Sequence, residues 1–204
     1  MITRQDIERL PPATFHKPDE VTRIKNEILS TTEEDDRDWL LYALGQRLIA
    51  ENVLDEAERV ARLMETYPIE RTWFFGSIAA KLWKLGHTER ALHLLGEAIP
   101  IASSSGVEWQ RAESLTKLAR HFIEINQKER AVKLLSKAAQ IAQAGERQSN
   151  AVGNMQDAID SASVLGEVAE AFTGIGEIRQ AEKIARSIMN GFKRCCVLER
   201  INAA

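Results

Sequence analysis

The sequence predicts an all-α protein of paired helices, and three observations carry that prediction. The 204 residues are 44% hydrophobic and 28% charged but only 6% aromatic, with 11 Gly and 5 Pro. That mixture is too apolar for a disordered chain and too poor in turn residues for a many-stranded sandwich or barrel. Apolar residues recur at helical spacing along most of the chain. The third observation is internal repetition around four alanines. The length suits one or two domains able to bury a core without disulfide or metal staples.

The same counts exclude several classes. There is no run of about 18 apolar residues, as a membrane span requires. The polar opening from Met1 to Asp6 lacks the basic start and apolar stretch of a secretory signal, so a soluble, cytoplasmic chain is expected. Cys195 and Cys196 are adjacent, without the spacer of common redox and zinc motifs, and are expected to be packing thiols. The net charge of -3 is unevenly spread: residues 1–70 carry 16 acidic and 9 basic side chains, the remainder 14 and 18. No block of Lys and Arg forms a phosphate-tracking stripe, so neither nucleic acid nor membrane is an expected partner.

In chain order, Pro11, Pro12 and Pro18 punctuate the opening. Val21, Ile24, Ile28 and Leu29 then form a short amphipathic helix suited to covering one end of a helical stack, so residues 1–30 are an N-terminal segment and capping helix. The acidic run Glu33-Glu34-Asp35-Asp36 reads as a solvated first helical turn ahead of the alternative, a recognition patch. Ser30 before Glu33 and Thr31 before Glu34 have capping-box spacing.

Four alanines then anchor a repeat: Ala57, Ala91, Ala131 and Ala181. Five residues before each stands Asn52, Gly86, Asn126 or Gly176, the residue types that best tolerate the left-handed conformation ending a helix. Twelve before are the small residues Gly45, Ala79, Ala119 and Ala169, which allow a close helix crossing. At offsets of sixteen, thirteen and nine come Leu41-Leu44-Leu48, Phe75-Ile78-Leu82, Leu115-Leu118-Phe122 and Leu165-Val168-Phe172. At about 100° per residue these share one face, so every first helix buries the same ridge. Ala61, Leu95, Leu135 and Ala185, four after the anchors, continue the pattern on the second helix.

The repeats occupy about 31–66, 67–102, 105–144 and 155–190. Six extra residues before the third fall around Ser103-Ser104-Ser105-Gly106 and are expected to lengthen a turn, with Ser105 capping the next helix. Sixteen more before the fourth fall at 145–160, where Gly145, Gly153 and polar neighbours favour a flexible loop over extended helices. Residues 191–204 form a C-terminal capping helix, in which Phe192, Cys195 and Cys196 copy the start of a first helix until Glu199 interrupts it.

This arrangement of large apolar, apolar-small, aromatic and alanine positions resembles the tetratricopeptide repeat family over residues 38 to 190. The resemblance implies antiparallel helix pairs stacked as a right-handed, TPR-like α-solenoid. The chain departs from the family pattern in its spacings of 34, 40 and 50 residues. It also has Leu or Phe at the usual first-helix Trp and Tyr positions, and Pro68 lies one residue early.

No catalytic or cofactor signature is visible: Gly-x-Ser-x-Gly, a phosphate loop, Gly-x-Gly-x-x-Gly and His-Glu-x-x-His are all missing. His16, His87, His93 and His121 are scattered, and surface or partly packed positions are expected of them rather than metal ligation. The informative residues lie on the first-helix face opposite the ridge, which in the resembled family lines a concave peptide-binding groove. They are Trp39, Tyr42, Gln46 and Ile49; Trp73, Gly76, Ala80 and Trp83; Glu113, Thr116, Arg120 and Ile123; and Ser163, Gly166, Glu170 and Thr173. Three of four Trp and one of two Tyr fall on this row, and an apolar patch there marks an interaction site. The competing reading packs these rings between neighbouring first helices or under the N-terminal helix.

The resemblance therefore implies a non-catalytic scaffold that grips a protein or peptide through Trp39, Tyr42, Gln46, Ile49, Trp73, Ala80, Trp83, Lys84, Arg120 and Glu124. The Lys and Asn clamp for carboxylate termini in the family is replaced by Tyr42, Gln46, Gly76 and Ala80, which disfavours such ligands. Self-association as a homo-oligomer is the second reading. The third is a small-molecule sensor or enzyme using the polar half around Arg120, Glu124 and Glu170.

Overall fold

The computed structural model describes residues 2–31, 33–65, 67–104 and 106–203. These residues form helices and no strand. In chain order they are α1 (Arg4–Arg9), α2 (Pro12–Phe15), α3 (Pro18–Leu29), α4 (Glu34–Ala50), α5 (Leu54–Leu63) and α6 (Pro68–Lys84), followed by α7 (Thr88–Ser104), α8 (Glu108–Glu124), α9 (Lys128–Val152), α10 (Met155–Gly174), α11 (Ile178–Ser187) and α12 (Gly191–Asn202). Two compact units divide the chain, Met1–Ala98 and Ile99–Ala204, with the division falling inside α7.

The anchor alanines read directly onto this geometry. Each of α4, α6, α8 and α10 ends seven residues before an anchor, and the following helix begins three before it. Between them Asn52, Gly86, Asn126 and Gly176 adopt φ of 60°, 85°, 60° and 78°. The next amide folds back to a carbonyl five residues earlier: Val53 donates to Leu48 (2.9 Å), His87 to Leu82 (2.9 Å), Gln127 to Phe122 (2.8 Å) and Glu177 to Phe172 (2.9 Å). One left-handed residue thus reverses the chain and satisfies otherwise open carbonyls at all four turns. The four anchors and the twelve ridge residues are all buried.

In the first unit, a Thr3–Asp6 capping box starts α1, and Pro12 and Pro18 occupy first positions of α2 and α3, where no amide is lost. Ile7, Phe15, Val21, Ile24 and Ile28 are buried, whereas Leu29 is exposed. Arg47 on α4 ties this segment down: its guanidinium donates to the Leu10 carbonyl (3.0 Å) and lies 5.0 Å over the Phe15 ring. The expected capping boxes at Ser30 and Thr31 do not form. Ser30 closes α3, its hydroxyl donating to the Glu27 carbonyl at 2.6 Å, and Glu33 occupies the N-cap of α4 without a side-chain cap.

The second unit corrects two expectations about inserted residues. Residues 145–160 are not a loop: α9 runs to Val152, Gly153 turns at φ 77°, and α10 starts at Met155. Nor is the turn before α8 lengthened, since α7 continues through Ser104; Ser105, expected to cap α8, lies outside the described residues. The second helices α5, α7, α9 and α11 are 10, 17, 25 and 10 residues long, so the insertions became added helical turns. Gly145 makes the longest of these possible, because a Cβ there would stand 2.7 Å from Glu108 Cβ and 3.0 Å from Ser161 Oγ. Beside it the buried Glu146 carboxylate accepts from the backbone amides of Met189 (3.0 Å) and Asn190 (3.1 Å), pinning the link between α11 and α12. In α12 it is Val197 and Ile201 that are buried; Phe192 is 83% exposed and Cys195 exposed, so the predicted packing of Phe192 and Cys195 does not occur. The helix turns a different face inward, placing Val197 over Gly166 of α10.

Candidate functional site

Of the aromatic residues singled out on the first helices of the first unit, Trp39, Tyr42 and Trp73 come together because α4 and α6 pack side by side, whereas Trp83, nearly three turns further along α6, is not part of that cluster. Gly45 of α4 leaves a hollow, and the buried Phe74 ring of α6 fills it so closely that a Cβ on Gly45 would lie 2.9 Å from Phe74 Cε1. The small residue is needed to admit a neighbouring ring. Tyr42 meets Phe74 edge to face at 5.2 Å between centroids, and Trp73 meets it likewise at 5.3 Å. Phe74 is therefore the plinth on which the two outer rings rest.

Upon it stands a continuous shelf. Trp39 stacks parallel on Tyr42, 5.2 Å between centroids and 7° between planes, and Tyr42 tilts against Trp73 at 6.2 Å. Gln46 donates its amide to the Tyr42 hydroxyl at 2.9 Å and fixes that ring. Trp39 remains 44% exposed, while Tyr42, Trp73 and Trp83 are half-buried. Ile49 and Ala80 are each 8% exposed and so belong to the interior rather than the surface; Lys84 is exposed. Trp39, Tyr42 and Trp73 thus pack against one another between first helices while part of their surface stays exposed. Arg4 of α1 extends over Trp39, its guanidinium carbon 5.3 Å from the ring centroid and its Nε held by Glu8 at 2.6 Å.

Arg120, Glu124 and Glu170 belong to the second unit, and each has an intramolecular partner. Arg120 lies 3.4 Å from Glu167, Glu124 pairs with His121 at 3.2 Å, and Glu170 pairs with Arg200 of α12. His121 is buried rather than on the surface, and that burial lowers its pKa below 6.5 despite the opposing pull of Glu124. Gly166 is covered by α12, where a Cβ would stand 3.1 Å from Val197 Cγ2. Among the described residues no group of three His, Cys, Asp or Glu is placed to hold a metal ion, and no helix is long and apolar enough to cross a membrane.

Sequence reasoning missed Phe74 and Arg4. Phe74 lies one residue outside the repeated ridge, and its signal was the Gly45 hollow on the previous first helix. It also missed a cleft of about 440 Å³ in the first unit, lined by Phe15, His16, Leu85 and His87 among others. There Arg90 is closed down by Asp55 (2.6 Å) and Glu58 (2.7 Å). Burial of Glu58 raises its pKa, but hydrogen bonds from Arg62 and Arg90 outweigh that and hold the carboxyl below 4.5. Comparisons with family models, curated proteins and solved structures find no match to this chain.

Proposed function

We propose that the protein is a non-catalytic, TPR-like scaffold that docks a protein or peptide segment on the aromatic shelf of α4 and α6. The supporting observation is the contiguous Trp39–Tyr42–Trp73 surface, seated on buried Phe74 yet open to solvent at Trp39. Large rings already fixed by their neighbours lose little entropy on binding, which is why Trp and Tyr dominate the energetics of interfaces. The four identical turns and the uniform ridge support stacking of the helix pairs as a solenoid of this kind. Selection of random twelve-residue peptides on the intact protein tests the reading. Selected peptides are expected to lose binding to a folded Trp73→Ala, Trp83→Ala variant; equal binding to both proteins contradicts it.

Self-association is a second reading, supported by the exposure of Val152, Met155, Met189 and Phe192 in the second unit. Light scattering of the protein beside Phe192→Ser tests it. A concentration-independent monomer in both removes this reading.

A further inference from the structure

The shelf is already in contact with one ligand chemistry, that of its own Arg4. A guanidinium is planar and weakly hydrated, so it lies flat on an indole face as an ammonium does not. Arg4 holds its guanidinium carbon 5.3 Å from the Trp39 ring centroid from a six-residue helix whose buried residue is Ile7, and Glu8 accepts a single hydrogen bond from the Arg4 Nε. The surroundings favour the same charge. Asp36 lies three residues before Trp39 and Glu70 three before Trp73, so each indole has a carboxylate one turn away on its own helix face. Neither acid has an ion-pair partner among the described residues, and Glu33, Glu34 and Asp36 are exposed at the start of α4. The first 70 residues carry 16 acidic against 9 basic side chains.

We infer that the segment docked on the shelf is arginine-bearing, that its guanidinium stacks on Trp39 between the acids of the first turns of α4 and α6, and that Arg4 is a built-in competitor for the same indole face. This deepens the docking reading above and rests on it. Arginine is selected over lysine because the planar cation gains from the ring face as well as from the carboxylates, whereas the ammonium gains chiefly from charge. Removing Arg4 frees the face and removes a competing positive charge.

The test uses the full chain and two fluorescein-labelled peptides of sequence (Gly-Ser-Arg)3 and (Gly-Ser-Lys)3, with anisotropy read at low salt. The arginine peptide is expected to bind at least about threefold tighter than the lysine peptide, the scale of one exposed cation–π contact. Arg4→Ala is expected to tighten the arginine peptide further, Trp39→Leu to abolish the preference, and Trp39→Tyr to retain it. Equal affinities for the two peptides overturn the inference, as does a preference that survives Trp39→Leu or an Arg4→Ala affinity no tighter than the original. If selected peptides still require Trp73 and Trp83 while the arginine peptide shows no preference, the ligand class is wrong and the docking face stands. If selected peptides ignore those residues, the docking face itself fails.

Discussion

Gly86 and Gly96 both belong to the second helix pair, yet their environments demand opposite outcomes on substitution. Gly86 has φ of 85°, and a Cβ added there would meet nothing within 4 Å, so its requirement is backbone conformation and not space. Gly86→Val is expected to cost about 1 kcal/mol or more, because a β-branched residue is strained there. Gly96 sits inside α7 with open space and an ordinary backbone, so Gly96→Ala is expected to gain about 0.5–1 kcal/mol. Urea denaturation of the two variants reads both signs. His121 supplies a pH dependence. Its folded pKa lies below the ordinary 6.5, so the unfolded chain binds the proton first as pH falls. The stability it confers is complete above that value and is lost as pH drops toward the folded pKa; His121→Gln is expected to flatten thermal stability over that interval.

Helix pairs, turns and the buried ridge were legible because one pattern of offsets from an anchor alanine recurs four times, and a left-handed residue must sit where each first helix stops. The inserted residues were not. Gly145 has the look of a loop glycine, and its actual reason, the contact with Glu108 and Ser161, depends on a long-range crossing that composition does not encode. Phe192 and Cys195 had the spacing of a first helix, but α12 has Val197 and Ile201 available on another face, and that face fits α10. In the candidate site the Trp and Tyr row was legible from helical angle alone, while Phe74 and Arg4 were set by packing between helices distant in sequence. The extension of α9 has a consequence at Glu146, whose carboxylate serves the Met189 and Asn190 amides. Glu146→Ala is expected to cost about 1–3 kcal/mol by leaving those amides without an acceptor. Hydrogen exchange should show lost protection concentrated at residues 188–192; unchanged exchange there would show that the link is held by other contacts.

At the scale of the molecule, a single packing rule generates the pairs, and function is assigned to what the rule leaves outside: a face of α4 and α6 that the ridge does not use. That separation makes the central claim measurable. Phe75 is 1% exposed on the ridge, whereas Trp73, two residues earlier on α6, is half-buried on the shelf. Phe75→Ala is expected to cost about 3–5 kcal/mol of folding stability. Trp73→Ala and Trp83→Ala are expected to cost less while weakening a bound peptide by about 2 kcal/mol or more. The direct measurement is thermal unfolding of these three variants beside titration with one selected peptide. Binding lost at Trp73 and Trp83 with most stability retained is the predicted result. Stability lost as severely as in Phe75→Ala, with binding falling only in proportion to unfolding, would make the rings core and contradict the account.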